Sequence, residues 1–221
     1  MAQRTETNVE KFCTFPYREI HLDSQGVFGP CCQYTKRKNK DKYDMSNVSS
    51  IKEYLKSPQL ENIKKDLEKG IKLEQCRYCW RVEDTGVPSM RQRSSHKDIS
   101  KIREFFITFG NQCNTACRIC NSTRSSLIHK YDMLHADKIE HEQLKKELKK
   151  EHPWSEGKVW YTNVANDVVD ILDGLEVIKI SGGEPFINVH FDRFIDTLVN
   201  SGKKLPKIMI TTNGSFTIKQ L

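Results

Sequence analysis

Cys113-Asn114-Thr115-Ala116-Cys117-Arg118-Ile119-Cys120 places three thiols in eight residues, with the spacing C-x3-C-x2-C. The apolar run Phe105-Phe106-Ile107-Thr108-Phe109, bounded by Gly110, precedes it, and Asn121-Ser122-Thr123 offers N-cap residues after it. The segment reads as strand, cysteine loop, helix. Three thiolates on so short a loop can surround one face of an iron–sulfur cubane and leave the fourth iron without a protein ligand. Backbone N–H groups of the loop can point at the cluster sulfurs and stabilise their charge. The competing reading is a zinc loop, but zinc takes a fourth protein ligand. No His or Cys follows at short spacing, and His129, one helix away, reads as a solvated or packed helix residue.

Two more strands follow downstream. Leu175-Glu176-Val177-Ile178-Lys179-Ile180 leads into Ser181-Gly182-Gly183-Glu184-Pro185-Phe186, and Lys207-Ile208-Met209-Ile210 leads into Thr211-Thr212-Asn213-Gly214. Gly182 and Gly183 permit positive φ and close backbone approach to a ligand. Glu184 can accept a charge-assisted hydrogen bond from an ammonium group. Each motif alone is weak; three in order, each at the C-terminal end of a strand, are specific.

This succession resembles the radical S-adenosylmethionine enzymes: C-x3-C-x2-C after the first strand, GGEP after the second, TNG after the third. The resemblance implies that Cys113, Cys117 and Cys120 hold a catalytic 4Fe–4S cluster whose open iron binds the amino and carboxylate groups of S-adenosyl-L-methionine. It implies that Gly182, Gly183 and Glu184 hold the methionyl end, and that Ile119, Thr212 and Asn213 complete the cofactor site. Many relatives carry an aromatic where Ile119 stands, so the adenine contact there becomes apolar packing. The family cleaves the cofactor reductively to a 5′-deoxyadenosyl radical, fed by an electron donor such as a flavodoxin or ferredoxin. Relatives with auxiliary clusters often modify peptides or proteins, which makes a peptide or protein the implied substrate class.

The chain has 221 residues and eight cysteines. Its start, Met1-Ala2-Gln3-Arg4-Thr5-Glu6-Thr7-Asn8, has no apolar h-region, and no run of eighteen apolar residues occurs. A cytoplasmic chain without a membrane span is therefore expected. Eight thiols in a reducing compartment argue for metal or redox chemistry rather than a disulfide scaffold. The net charge of +7 draws on Lys36–Lys42 and Lys145–Lys150. Both clusters read as solvated faces, because neither interleaves the aromatics of a base-stacking platform; a nucleic-acid partner is not expected.

The first hundred residues hold the other five thiols. Tyr17–Leu22 and Val27-Phe28, around Asp23-Ser24-Gln25-Gly26, read as a hairpin. Helices are expected over Ile51–Lys56 and Pro58–Lys69, with Ser57-Pro58 as start and Gly70 as stop. Cys76-Arg77-Tyr78-Cys79-Trp80 is by itself ambiguous between zinc, redox dithiol and iron–sulfur. Cys13, twelve residues, Gly26, four residues and Cys31 resemble the opening of the auxiliary-cluster modules called SPASM and twitch. The resemblance implies an auxiliary 4Fe–4S cluster on Cys13, Cys31, Cys76 and Cys79. Adjacent Cys32 would be the spare, the spacing favouring Cys31. A structural zinc site on the same four thiols is the alternative.

The expected fold class is α/β. Residues 1–100 would form a small α+β cysteine-rich iron–sulfur domain, and residues 101–221 the first half of a partial (βα) barrel. Helices are expected over Ser122–Leu134, Lys138–Lys150, Val164–Leu172 and His190–Val199, with Trp154, Trp160 and Tyr161 packing the connection. Three strand–helix units are half of the family's barrel, so a truncated product or one part of a split enzyme is expected. A non-catalytic iron–sulfur or zinc protein, a partner or electron carrier, is the functional alternative.

Overall fold

A computed structural model of the chain describes residues 12–35, 41–94, 98–138, 140, 142 and 160–215, with side chains from 163 in the last stretch. The basic stretch 36–40, the helix expected up to Lys150, Trp154, the side chains of Trp160 and Tyr161, and Phe216 lie outside the described residues. The strands are β1 (Glu19–Leu22), β2 (Phe28–Gly29), β3 (Glu104–Thr108), β4 (Val177–Ser181) and β5 (Lys207–Ile210). The helices are α1 (Phe15–Arg18), α2 (Ile51–Lys56), α3 (Pro58–Glu68), α4 (Arg77–Asp84), α5 (Met90–Arg93), α6 (Ser126–Leu134), α7 (Trp160–Ile171) and α8 (Val189–Asn200). Ser50 and Ser57 cap α2 and α3 by accepting from Glu53 N and Leu60 N. Gly70 stops α3 at φ 70°.

One five-stranded sheet, in the order β2-β1-β3-β4-β5, runs across the boundary expected near residue 100. β1 pairs in parallel with β3, Glu19 opposite Glu104 and Leu22 opposite Ile107, and β2 pairs antiparallel with β1. β4 and β5 continue the sheet in parallel. The expected hairpin is real, but it is an edge of the main sheet rather than part of a detached unit. It covers the backbone edge that β3 would otherwise expose.

One face of the sheet is apolar. Ile20, Leu22, Phe105, Ile107, Phe109, Ile178 and Ile180 are buried there. Phe191, Phe194 and Leu198 of α8 and Val164, Ala165 and Val168 of α7 belong to the same core. Phe194 stacks on Phe105 at 6.4 Å and meets Phe109 edge-on at 5.5 Å. Burying each such side chain contributes about 1.5–3 kcal/mol, so this layer holds the sheet flat against its helices. The Asp167 carboxylate of α7 accepts from Ile51 N at 2.8 Å, tying α2 to the same layer. The alternate residues make the opposite face polar: Glu19, His21, Glu104, Thr108, Lys179 and Ser181.

Candidate iron–sulfur centres

Parallel pairing puts the C-terminal ends of β3, β4 and β5 side by side. The three motif loops therefore leave the sheet at one end, where α/β folds place their sites. Their contacts interlock. Glu184 N donates to Gln112 O at 2.7 Å, joining the Gly-Gly-Glu segment to the base of the cysteine loop. Gly182 and Gly183 have φ of 102° and 50°. A Cβ on Gly183 would stand 2.1 Å from Gln112 O, and one on Gly182 would stand 2.7 Å from Thr108 Cγ2 and 2.8 Å from Phe109 N. The close approach these glycines permit is thus to the cysteine loop itself.

Glu184 is fully buried. Its carboxylate accepts from Asn213 N at 2.7 Å, from the Thr212 hydroxyl at 2.9 Å and from Phe186 N at 3.2 Å. A carboxylate has about four lone-pair sites, and here three donors from the protein occupy it. The side chain clamps the TNG loop to the Gly-Gly-Glu segment. The Asn213 side-chain amide donates to Asn114 Oδ1 at 2.9 Å and to Thr115 Oγ1 at 3.2 Å. The structure thus brings Cys113, Gly182, Gly183, Glu184, Thr212 and Asn213 into one connected region. Cys117 is exposed, Cys113 and Cys120 half-buried, and the Ile119 side chain is 99% exposed on the same loop.

The second cysteine group lies at the other end of the sheet. Cys31 follows antiparallel β2 and so returns to the level of Glu19, and Cys13 immediately precedes α1 and β1. Four strand steps from Glu104 to Thr108, roughly 13 Å, separate the two levels. Cys13, Cys31, Cys76 and Cys79 line one small cavity with Phe15, Tyr34, Leu67, Met90 and Arg91, and Cys32 does not. Cys76 closes a 3-10 turn and Cys79 lies in the first turn of α4, an arrangement set by Trp80, whose indole N–H donates to Leu73 O at 3.0 Å.

Burial pushes the Cys13 thiol up to about 12 and the Cys31 and Cys76 thiols up as well. Loading the site must therefore displace protons that burial retains. Arg91 pulls Cys13 and Cys76 the other way. It is buried, pairs with Glu83, donates to Phe12 O at 3.0 Å and lies 4.5 Å over the Trp80 ring. An all-sulfur donor set beside one fixed guanidinium fits an anionic cluster. Among the described residues, no three His, Cys, Asp or Glu side chains are grouped as a single metal ion requires.

Between the two levels, the polar face carries an ionic cluster. Lys179 pairs with both Glu19 and Glu104, and Arg18 pairs with Glu104. Burial pushes the Cys32 thiol up, with the charge on Glu19 adding to this and that on Lys179 opposing it. Burial, opposed by Lys179, pushes the Glu19 carboxyl from 4.5 up to about 7. Folded Glu19 therefore keeps its proton to higher pH than the unfolded chain does. Its contribution to stability is full below about 4.5 and is lost as pH rises through about 7. Glu19→Gln, fixed in the neutral form, should gain stability relative to the wild type between pH 5 and pH 8, read as urea midpoints. An equal difference at both pH values would contradict this.

Arg91, Thr115 and Asn114 were not singled out as site residues from sequence. The signal for Arg91 was present: Ser89 and Gln92 form a capping box that starts α5 and fixes Arg91 within it. Thr115 and Asn114 have no signal beyond lying between the cysteines.

Among curated proteins and among solved structures, none matches the chain. Among the described residues, no helix is long and apolar enough to cross a membrane. Residues 13–80 match the family model of SPASM, described as an iron–sulfur cluster-binding domain. The match begins at Cys13 and ends one residue past Cys79, so it contains all four thiols of the buried cavity and supports iron–sulfur binding at this end of the sheet.

Proposed function

We propose that the chain is a radical S-adenosylmethionine enzyme, or the part of one that carries its cofactor site, with a 4Fe–4S cluster on Cys113, Cys117 and Cys120. The buried N-terminal site takes an auxiliary 4Fe–4S cluster on Cys13, Cys31, Cys76 and Cys79. One observation carries the reading: the cysteine, Gly-Gly-Glu and TNG loops leave three adjacent parallel strands at one end and are bonded to one another there. A single motif match would not require that convergence. The iron–sulfur domain matched at residues 13–80, typical of radical S-adenosylmethionine proteins, supports the same class.

In this reading Gly182 and Gly183 shape the wall beside the methionyl end, and Glu184 holds Thr212 and Asn213 in place there. Exposed Ile119 offers apolar packing to the adenine. When bound and reduced, the cluster supplies the electron that cleaves the sulfonium to a 5′-deoxyadenosyl radical. The electron comes from a flavodoxin- or ferredoxin-like donor, and the substrate is a peptide or protein. The test is anaerobic reconstitution, reduction with dithionite, addition of S-adenosylmethionine and assay of 5′-deoxyadenosine. Product that disappears in Cys113→Ala, Cys117→Ala, Cys120→Ala protein is expected. A fully loaded chain whose cluster neither responds to the cofactor nor yields product would favour a non-catalytic electron carrier.

A further inference from the structure

We propose that Thr115 and Asn213 form a hydrogen-bond relay onto the ligand sulfurs that raises the reduction potential of the cluster on Cys113, Cys117 and Cys120. The inference rests on the reading of those three cysteines as cluster ligands. Thr115 Oγ1 lies 3.3 Å from Cys113 Sγ and 3.6 Å from Cys117 Sγ, between two of the three sulfurs. Asn213 Nδ2 donates to the same hydroxyl oxygen at 3.2 Å and also lies 3.9 Å from Cys113 Sγ, a longer direct contact. The orientation of that amide is fixed, because its oxygen accepts from Ser215 N at 2.9 Å and its second N–H goes to Asn114 Oδ1 at 2.9 Å. Asn114 in turn donates to the Ser215 hydroxyl at 3.0 Å, and Asn213 N is held by the buried Glu184 carboxylate at 2.7 Å.

The direction of the Thr115 proton follows. A hydroxyl has one hydrogen. Ligand sulfurs are thiolates and carry none, so Thr115 is the only possible donor between itself and Cys113 or Cys117. Its oxygen is engaged as an acceptor from Asn213, which polarises the O–H toward sulfur. On reduction the cluster takes one electron from a flavodoxin- or ferredoxin-like donor, no bond forms or breaks, and its negative charge grows by one. A donor aimed at its sulfurs stabilises the reduced form more than the oxidised form, and such bonds are among the levers that set cluster potentials. The third strand's loop, through Asn213, thereby acts on the first strand's cluster, and Thr115 and Asn213 are positioning and tuning residues rather than ligands.

The experiment is a redox titration of the anaerobically reconstituted full chain by electron paramagnetic resonance. The component followed is the one missing from the Cys113→Ala, Cys117→Ala, Cys120→Ala protein, which separates it from the N-terminal site. Thr115→Val should lower the ratio of reduced to oxidised cluster about tenfold at the wild-type midpoint, which is about 59 mV for a one-electron couple. Thr115→Ser should restore the wild-type value, and Asn213→Leu should shift the potential in the same direction by less. Thr115→Val that loads iron and titrates at the wild-type potential overturns the relay and leaves the three-cysteine cluster standing. If Thr115→Val takes up no iron at the three-cysteine loop, Thr115→Ala decides: a negative shift sustains the relay, and an unshifted potential or a shift confined to Asn213→Leu overturns it. Wild-type chain in which no component depends on the three cysteines overturns the relay together with the reading beneath it.

Discussion

Gly183→Ala should destabilise the apo-chain by about 2–5 kcal/mol and strip iron from the Cys113 loop while leaving the N-terminal iron in place. Two costs add. At φ 50° an alanine sits in the left-handed region, a cost of about 1–2 kcal/mol. Its Cβ would also fall 2.1 Å from Gln112 O and 2.8 Å from Asn111 C and Gln112 C. These are backbone atoms, which cannot swing aside as a side chain would, and relieving such overpacking costs about 1–3 kcal/mol. Relief requires the Gly-Gly-Glu segment to back away from the cysteine loop, breaking the bond from Glu184 N to Gln112 O. Gly214→Ala is the control. Its φ is 70° and nothing lies within 4 Å of the added Cβ, so it should cost only the backbone part, about 1–2 kcal/mol. Urea midpoints of the two apo-variants, with iron counted after reconstitution, make the comparison. Equal stability would show that the two loops are not in register as described.

The contrast between these glycines shows where sequence reading reached its limit. GG and NG look alike as flexible pairs, but only the first is pressed against another backbone. That pressure comes from the loop between Phe109 and Gln112, some seventy residues earlier in the chain. Glu184 is a similar case. Its type and place pointed to the site, and the structure keeps it there, but facing the neighbouring loop. A buried carboxylate holding Asn213 N, Phe186 N and a threonine hydroxyl cannot be told from a ligand-facing one until the third strand's position is known.

Local signals carried further. The three strands before the motifs were legible from their apolar runs, and the cap Ser57 from helix-start chemistry. The helix expected from Ser122 starts instead at Ser126, capped by Ser125. Asn121 Oδ1 accepts from Thr123 N and its hydroxyl, turning the chain before it can coil. Ser126 is also drawn to the cysteine loop, accepting from Cys113 N at 3.0 Å and donating to Cys113 O at 3.2 Å. The pairing of β1 with β3 had no local signal at all. Eighty-odd residues separate them, and the buried Glu19 and Glu104 and half-buried Lys179 that meet near that seam are brought together only by the pairing itself.

Cys31→Ser should halve the iron content of reconstituted chain, from about eight per chain to about four if both sites hold cubanes, whereas Cys32→Ser should leave it unchanged. The spacing from Cys13 through Gly26 favoured Cys31, and the fold supplies an independent reason. Cys31 is buried and lines the cavity with Cys13, Cys76 and Cys79, whereas Cys32 is half-buried and does not line it. Serine at position 31 removes a thiolate from a buried site that keeps three others and Arg91, so the loss should be complete rather than partial. Double substitution of Cys76 and Cys79 to Ala should give the same four-iron content, since it empties the same site. Iron content that falls with Cys32→Ser and not with Cys31→Ser would show that the hairpin carries these two residues the other way round.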